Sequence, residues 1–575
     1  MNYKVLTKLN FGSEIQDVLK YYGVSNTELF LHPKESSIES PYLFKTIPIA
    51  VNCFVNHIEN EDEISIVVDC DADGYTSSSV MYQYIKRLKP NININTYIHN
   101  GKEHGIKDVV NEICNDNSKL VIIPDAGTSD SEECKMLKQH NKSIIILDHH
   151  NVLPKDNPSI IVNNQLEEQI TDKAMTGVGI VYKFCKCLDD FFKVNYADDY
   201  LDLLALGMIS DRCDMFNPQT RYLVFKGMDI IRKKENHNKF ITTLVEAQSF
   251  TMKNRVTVET IGFYIAPLIN ALIRLGEYEN KKIMFRAICN SNETLIRKIR
   301  GKGECEISIQ EYSLKDCQSA HRKQKSETEK QTNALDEDIT KFGLNQYPIL
   351  VCNAKDNVDS TFTGLIANQL ASKYCKPVLL LRRYDDYCSG SGRGYNKSYI
   401  TNLNEWCKET KLFSKVEGHD NAMGIGISFD NICKLYEKLS TMKVEPFLYH
   451  VFGEYDATKL PPSVITSFGK YDYIWGNGVD EPLFVIKNIN VNKFNITLNG
   501  TKKNKIEFMY KNITFRKATR ATSLEDEYNK IIELGDNINF TVVGKFKLDY
   551  SNGKAPLIMI EDMEYEKGKK INFFS

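Results

Sequence analysis

Four short apolar runs in this 575-residue chain each end on an aspartate, and that repetition constrains the fold more than any other feature. The runs are Ile64 to Val68 before Asp69, Leu120 to Ile123 before Pro124 and Asp125, Ile144 to Leu147 before Asp148-His149-His150, and Leu203 to Ile209 before Ser210 and Asp211. Runs of four to seven apolar residues, rich in Val and Ile, predict strands buried on both faces. Helix-like stretches separate them, which predicts a mostly parallel sheet. The carboxyl ends of parallel strands open onto one crevice where ligands bind, so four acidic clusters and a histidine pair should converge there. Ionised carboxylates cannot crowd together without positive charge among them. A pair of divalent metal ions is the simplest supply.

The first cluster is Asp69-Cys70-Asp71-Ala72-Asp73-Gly74. Alternate aspartates leaving a strand are spaced to share metals, and Gly74 permits the turn into the next helix. With Asp125-Ala126-Gly127, Asp148-His149-His150 and the Asp211 that follows Ala205-Leu206-Gly207, the chain resembles the DHH phosphoesterases in four ordered motifs. It is most similar to their RecJ-type single-strand exonucleases. Singly, each motif has a plainer reading, as a helix N-cap or a surface turn; four in order outweigh it. The resemblance implies that Asp69, Asp71, Asp73, Asp125, His149 and Asp211 hold two Mn²⁺ or Mg²⁺ ions, with Asp125 bridging them. It implies catalytic work for Asp71, Asp73, Asp125, His149, His150 and Asp211, with His150 contacting the phosphate or assisting the leaving 3′-oxygen, and Asp148 orienting the pair. There are two departures. Many relatives carry a histidine two residues before the first aspartate, where this chain has Val67. RecJ proteins carry Pro-Asn-Arg after the second strand, where this chain has His99-Asn100-Gly101-Lys102, which makes Lys102 the candidate phosphate contact.

Downstream, Gly262 to Gly276 resembles a RecJ segment in which Asn270 and Arg274 would share a helical face and reach DNA phosphate. The charged stretch from about 310 to 341 reads as a long solvated helix joining two lobes. Residues 346 to 430 predict a second α/β unit. Ser389-Gly390-Ser391-Gly392-Arg393-Gly394 and Glu417-Gly418-His419 resemble signatures of the DHH-associated domain, with Glu417 where a glycine is usual. A Gly-rich turn brings backbone N–H groups close to phosphate, and Arg393 adds a planar donor fork. Ser391, Gly392, Arg393, Gly418 and His419 are therefore substrate-binding candidates. Short alternating strands after about 441 predict an OB-like barrel. Its basic stretch, Lys502, Lys503, Lys505, Lys511, Arg516, Lys517 and Arg520, interleaves Tyr510 and Phe515, the pattern of single-strand binding.

The expected architecture is thus α/β: a parallel-sheet DHH domain, a smaller α/β DHH-associated domain joined by a long helix, and a C-terminal OB-like β-barrel. The parts are a helical segment over 1–60, the DHH domain over 61–235, connecting helices over 236–341, the DHH-associated domain over 342–440 and the barrel over 441–575. Hydrophobic residues at 42% and charged residues at 26% fit an ordinary globular protein. A net charge of −2 excludes a protein coated in basic charge but permits a local basic groove. The 15 scattered cysteines form no zinc quartet and suit a reduced compartment. No run reaches transmembrane length, and abundant Asn, Lys and Ile suggest an AT-rich bacterial or phage genome. The expectation is a cytoplasmic, monomeric 5′-to-3′ exonuclease on single-stranded DNA that releases 5′-mononucleotides, with a single-strand-binding protein or a helicase as compatible partners and no membrane. Two alternatives stay open: a DHH phosphodiesterase acting on short RNA or small nucleotides, and a catalytically inactive replication scaffold.

Overall fold

The computed structural model describes residues 1–10, 12–101, 104–234, 237–354, 360–519 and 522–569. Lys102 and Arg520 lie outside the described residues. The chain forms two compact units, one of residues 24–322 and 473–480, the other of residues 1–23, 323–472 and 481–575.

In the first unit, five strands make an all-parallel sheet: β1 (Ile64–Val68), β2 (Ile94–Ile98), β3 (Leu120–Pro124), β4 (Ser143–Asp148) and β5 (Ile160–Asn163). Their spatial order is β2-β1-β3-β4-β5. Every residue of β1 and β3 is buried, as continuous Ile/Val runs in a sheet covered on both faces require. Val67, Val121, Ile123, Ile144 and Ile146 pack on one face with Ile106, Val110 and Leu137. Strand order reverses between β1 and β3, so their carboxyl ends flank a topological switch point, where a crevice opens. Asp69 leaves β1 and Asp125 leaves β3 at that point.

Helices α1 (Ala72–Leu88), α2 (Gly177–Phe192), α3 (Leu201–Ser210) and α4 (Ala266–Leu275) complete the surroundings of the crevice. The fourth apolar run is therefore a helix, not the strand its sequence predicts. Leu, Ala and Met are better helix formers than Val and Ile. A helix buried all round shows no 3.6-residue periodicity, and nine of the ten residues of α3 are buried. The stretch Val258–Leu275 is long and apolar enough to cross a membrane by composition, but Ile261, Ile265, Leu268, Ile269 and Leu272 are buried inside the unit. It is a core helix, with a π-helical turn at Ile261–Ile265 just before Pro267, a residue with no backbone N–H to donate. Residues 473–480 return to this unit through Arg221, which is wholly buried and donates to the carbonyls of Phe30, Met215 and Ile474 at 2.8 to 3.1 Å. A hairpin, β6 (Thr294–Ile299) and β7 (Gly303–Ser308), leads into the 33-residue helix α5 (Ile309–Lys341), within which the division between units falls.

In the second unit, β8 (Leu350–Asn353), helix α6 (Thr363–Tyr374) and strands β9 (Val378–Arg383), β10 (Tyr387–Arg393), β11 (Phe413–His419) and β12 (Ala422–Ser428) build a smaller α/β domain. Its sheet runs β11-β12-β10-β9-β8. Seven further strands form one mixed sheet: β13 (Gly453–Asp456), β14 (Phe484–Asn492), β15 (Ile496–Asn499), β16 (Lys505–Tyr510), β17 (Ile513–Ala518), β18 (Asn537–Asp549) and β19 (Ala555–Lys567). Their order is β13-β14-β18-β19-β17-β16-β15, and among the described residues no ladder joins the two outer strands.

Two expectations for this unit need correction. Ser389 to Arg393 is not a Gly-rich turn but the C-terminal part of β10, laddered to β9 on one side and β12 on the other. The glycines serve close packing: a Cβ on Gly390 would lie 1.9 Å from the Leu380 carbonyl oxygen. Nor is the basic stretch of the tail an open stacking surface. Phe515 is fully buried and stacked on Phe508 at 5.2 Å. Arg516 pairs with Glu507 and Asp549, Lys517 with Glu527, Lys503 with Glu525 and Lys502 with Glu329.

Candidate metal centre

The chain enters the crevice at the end of β1. Asp71 is the N-cap of α1, its carboxylate accepting from Gly74 N–H at 3.0 Å. Asp73, in the first turn, reaches across to the start of α2 and accepts from Gly177 N–H at 2.8 Å and Val178 N–H at 3.1 Å. Helix N-termini offer such unpaired donors. The Gly177 position has no room for a side chain, since a Cβ there would lie 2.1 Å from Asp125 Oδ1. Asp125 leaves β3 in the left-handed region, φ 67°, with its N–H donated to the Leu147 carbonyl at 2.8 Å. A non-glycine residue there is strained, and the turn aims its carboxylate at the crevice.

The histidine pair is fixed by Asp148. Its Oδ1 takes the backbone N–H of His149 at 2.7 Å and of His150 at 3.1 Å, and pairs with His150 Nδ1 at 2.8 Å. Thr128 N–H holds its other oxygen at 3.1 Å. His149 Nε2 then lies 3.2 Å from Asp125 Oδ1 and 3.7 Å from Asp211 Oδ2. Asp211 caps the C-terminus of α3.

The ligand atoms of Asp69, Asp71 and Asp125 all lie within 4.8 Å of one another, and so do those of Asp73, His149 and Asp211 and those of Asp125, His149 and His150. The structure therefore brings together all seven acidic and histidine candidates. Burial, then the nearby Asp73 and Asp71, raises the Asp125 carboxyl well above its ordinary range. Burial, then Asp211 and Asp71, does the same to Asp73, and burial with Asp69 raises Asp71. Asp125 Oδ1 is buried and accepts no hydrogen bond, despite its closeness to His149. An orphaned carboxylate oxygen inside an all-oxygen and imidazole donor set fits hard divalent cations such as Mn²⁺ or Mg²⁺. Burial and the neighbouring His150 lower the His149 pKa, which keeps its imidazole neutral and able to ligate. The hydrogen bond to Asp148 raises His150 to about 9.

Sequence reasoning missed His104. Its Nδ1 lies 2.7 Å from Asp69 Oδ2 and its ring 3.7 Å from Cys70 Sγ. Gly105 N–H donates to the other Asp69 oxygen at 3.1 Å. A loop histidine thus reaches the first aspartate from outside the strand, in a chain whose strand carries Val67 where relatives have histidine. The sequence signal is weak, because a histidine in a loop of no regular period matches no spacing rule. The same loop is held by the buried Lys281, whose Nζ donates to the Asn100 carbonyl at 2.6 Å. Asn270, expected to contact substrate, accepts from Ala72 N–H at 3.1 Å and so braces the Asp71 turn. The Arg274 pKa is lowered by burial against the pull of Asp71 and Cys70. In the second unit, Ser391 Oγ lies 2.9 Å from Thr363 Oγ1 at the start of α6, and Arg393 Nη1 donates to the Gly392 carbonyl at 2.7 Å. A Cβ on Gly364 would lie 2.4 Å from the same guanidinium. Gly418, φ 127°, and His419 lie at the end of β11, and His419 pairs with Ala422 beside the turn into β12.

Residues 63–208 match the family model described as the DHH family, N-terminal domain. The chain is 34% identical, over 583 aligned positions covering 99% of both proteins, to YorK, named as a candidate SPbeta prophage-derived single-strand DNA-specific exonuclease of Bacillus subtilis strain 168. It is 24% identical to the single-stranded-DNA-specific exonuclease RecJ of the same organism, over 72% of this chain and 50% of that one. The crystal structure of RecJ in complex with Mn²⁺ from Thermus thermophilus superposes with a TM-score of 0.72 at 17% identity, covering 98% of this chain and 79% of that one. That likeness is one of fold.

The crowded carboxylates make a prediction about stability. With raised pKa values, Asp73 and Asp125 bind protons in the folded chain that the unfolded chain has released, so metal-free stability should fall as pH rises above about 4. Saturating Mn²⁺ should flatten that slope and add about 2.7 kcal/mol at a hundredfold excess over Kd. Asp125→Asn should unfold no more easily than wild type without metal, yet lose most of the Mn²⁺ gain. Thermal melts across pH, with and without Mn²⁺, check this; an equal gain in wild type and variant would remove Asp125 from the site.

Proposed function

The chain belongs to the DHH family and is related in sequence and structure to the RecJ-type single-strand DNA exonucleases, and from that premise we propose that it is a two-metal 5′-to-3′ exonuclease on single-stranded DNA that releases 5′-mononucleotides. The observation that supports this best is the orphaned, buried Asp125 Oδ1 between the Asp69/Asp71 and Asp73/His149/Asp211 groups. Asp69, Asp71, Asp73, Asp125, His149 and Asp211 would hold two Mn²⁺ or Mg²⁺ ions, with Asp125 shared. Bound there, the ions supply an activated water and neutralise charge developing on the phosphate.

The chain's own residues do the rest. Asp148 holds His150 through Nδ1, which turns the other ring nitrogen outward from a ring about half exposed. Protonated at neutral pH, that nitrogen can donate to a phosphate oxygen or give its proton to the leaving 3′-oxygen. Arg274 stands within electrostatic reach of Asp71 and Cys70. In the second unit, Thr363, Ser391 and Arg393 assemble at the N-terminus of α6, where backbone N–H groups and the helix dipole favour an anion. We assign this cluster to the 5′-phosphate of the strand. A complete acidic site argues against an inactive scaffold, which has no use for buried, mutually repelling carboxylates.

End-labelled single-stranded DNA, duplex DNA and RNA, incubated with Mn²⁺ or Mg²⁺ and sized by electrophoresis, test the reading. Mononucleotides released from the 5′ end of single-stranded DNA are expected, and Asp73→Ala and His149→Ala should abolish them while leaving the chain folded. Wild-type rates in the Asp73→Ala protein would sink the assignment.

Loss of a charge-assisted pair costs about 1.5–3 kcal/mol, or roughly ten- to a hundredfold in rate at low substrate. Wild type should prefer 5′-phosphorylated to 5′-hydroxyl strands, and Arg393→Ala should erase most of that preference. If the rate ratio for two 3′-labelled substrates is the same in both proteins, the end is recognised elsewhere.

A further inference from the structure

A groove of about 320 Å³ runs between the β6–β7 hairpin and helix α5, in the same unit as the metal centre. One wall is the hairpin, with Arg297, Lys298 and Arg300; the other is α5, with Lys315, Gln318 and Arg322. Positions 315, 318, 319 and 322 fall at i, i+3, i+4 and i+7, a single helical stripe. The opposite side of this helix carries the buried Ser313, Cys317 and Ala320, so packing of the helix on its unit fixes which stripe faces the hairpin.

Of the five cations, Arg297 is committed. It pairs with Asp316 at 2.7 Å, donates to the Tyr312 carbonyl at 3.2 Å and lies over the Tyr312 ring. The other four are not: among the described residues, no ion pair forms at Lys298, Arg300, Lys315 or Arg322. Glu304 faces Lys298 across the ladder without coming within ion-pair distance. The contrast is with the tail, where Lys502, Lys503, Arg516 and Lys517 each have a carboxylate partner. Cations on two facing walls repel one another unless an anion lies between them. Ile299 is the one apolar residue among those lining the groove. Evenly spread charge without an apolar anchor is the signature of phosphate-backbone contact.

We propose that this groove binds the phosphate backbone of a single nucleic-acid strand, as a second anchor apart from the metal centre. The proposal rests on the nuclease reading only for its purpose: an enzyme with a strongly acidic metal site needs cations elsewhere to hold a polyanion.

The test is fluorescence anisotropy with a labelled 30-nucleotide oligothymidine in EDTA, which separates binding from cleavage, using the full chain. The variant is Lys298→Glu/Arg300→Glu/Lys315→Glu, with the Lys298→Gln/Arg300→Gln/Lys315→Gln protein as a milder form should charge reversal disturb folding. Each lost phosphate contact removes about 0.7 from the slope of log affinity against log salt for a single strand. The slope should therefore fall by about 2, and affinity at moderate salt by roughly ten- to a hundredfold. Unchanged affinity and slope in both variants would overturn the groove. So would unchanged DNA binding with lost binding of a labelled polyglutamate peptide, which would give the groove to an acidic protein segment. Groove-dependent binding by a chain that cleaves no strand would sink the nuclease reading and leave the groove; cleavage with unchanged binding in the variants would do the reverse.

Discussion

Mutual repulsion among buried carboxylates is the constraint around which the first unit is built. Asp73 and Asp125 are each about 1% exposed, and burial alone penalises their ionised forms. The protein tolerates this because the backbone is committed around them. Two helix N-termini feed donors to Asp71 and Asp73. A left-handed turn holds Asp125. Asp148 uses its own charge to position His149 and His150 rather than joining the crowd. What remains unsatisfied, above all Asp125 Oδ1, is a buried acceptor that fits a divalent cation.

Much of this is legible in the sequence, and the reason is physical. Ile64 to Val68, Leu120 to Ile123 and Ile144 to Leu147 are β-branched runs, and a strand buried on both faces requires such runs. A switch point at the ends of β1 and β3 then follows from parallel topology. The run before Asp211 reads as a strand because an apolar segment without period cannot declare its own geometry. The difference does not displace Asp211, because the end of a helix delivers a side chain to the crevice as well as the end of a strand does. His104 and Lys281 are not legible. Both act through loop backbone and side-chain contacts whose partners lie far apart in sequence.

The same limit explains the misplacement of positive charge. Lys502 to Lys517 resembles a nucleic-acid face because the charges are adjacent in sequence, but Lys502 is paired with Glu329, Lys503 with Glu525, Arg516 with Glu507 and Asp549, and Lys517 with Glu527. Conversely, Lys298 and Arg300 lie in or beside a hairpin and Lys315 in the helix after it, the stretch that reads as a solvated helix. Only the fold shows that one stripe of that helix faces the hairpin across a groove. Likewise Ser389 to Arg393 resembles a phosphate loop, yet its glycines permit close strand packing, and the polar cluster with Thr363 forms across elements.

We propose that the carboxylate crowd holds two divalent ions that share Asp125. Titration of the chain with Mn²⁺, followed by electron paramagnetic resonance, tests it most directly, because ions sharing a bridging carboxylate at about 3.5–4 Å couple magnetically. Two tightly bound ions per chain with a coupled spectrum are expected, and loss of the coupling in Asp125→Asn. A single ion, or two uncoupled ions whose spectrum is unchanged by Asp125→Asn, would contradict it.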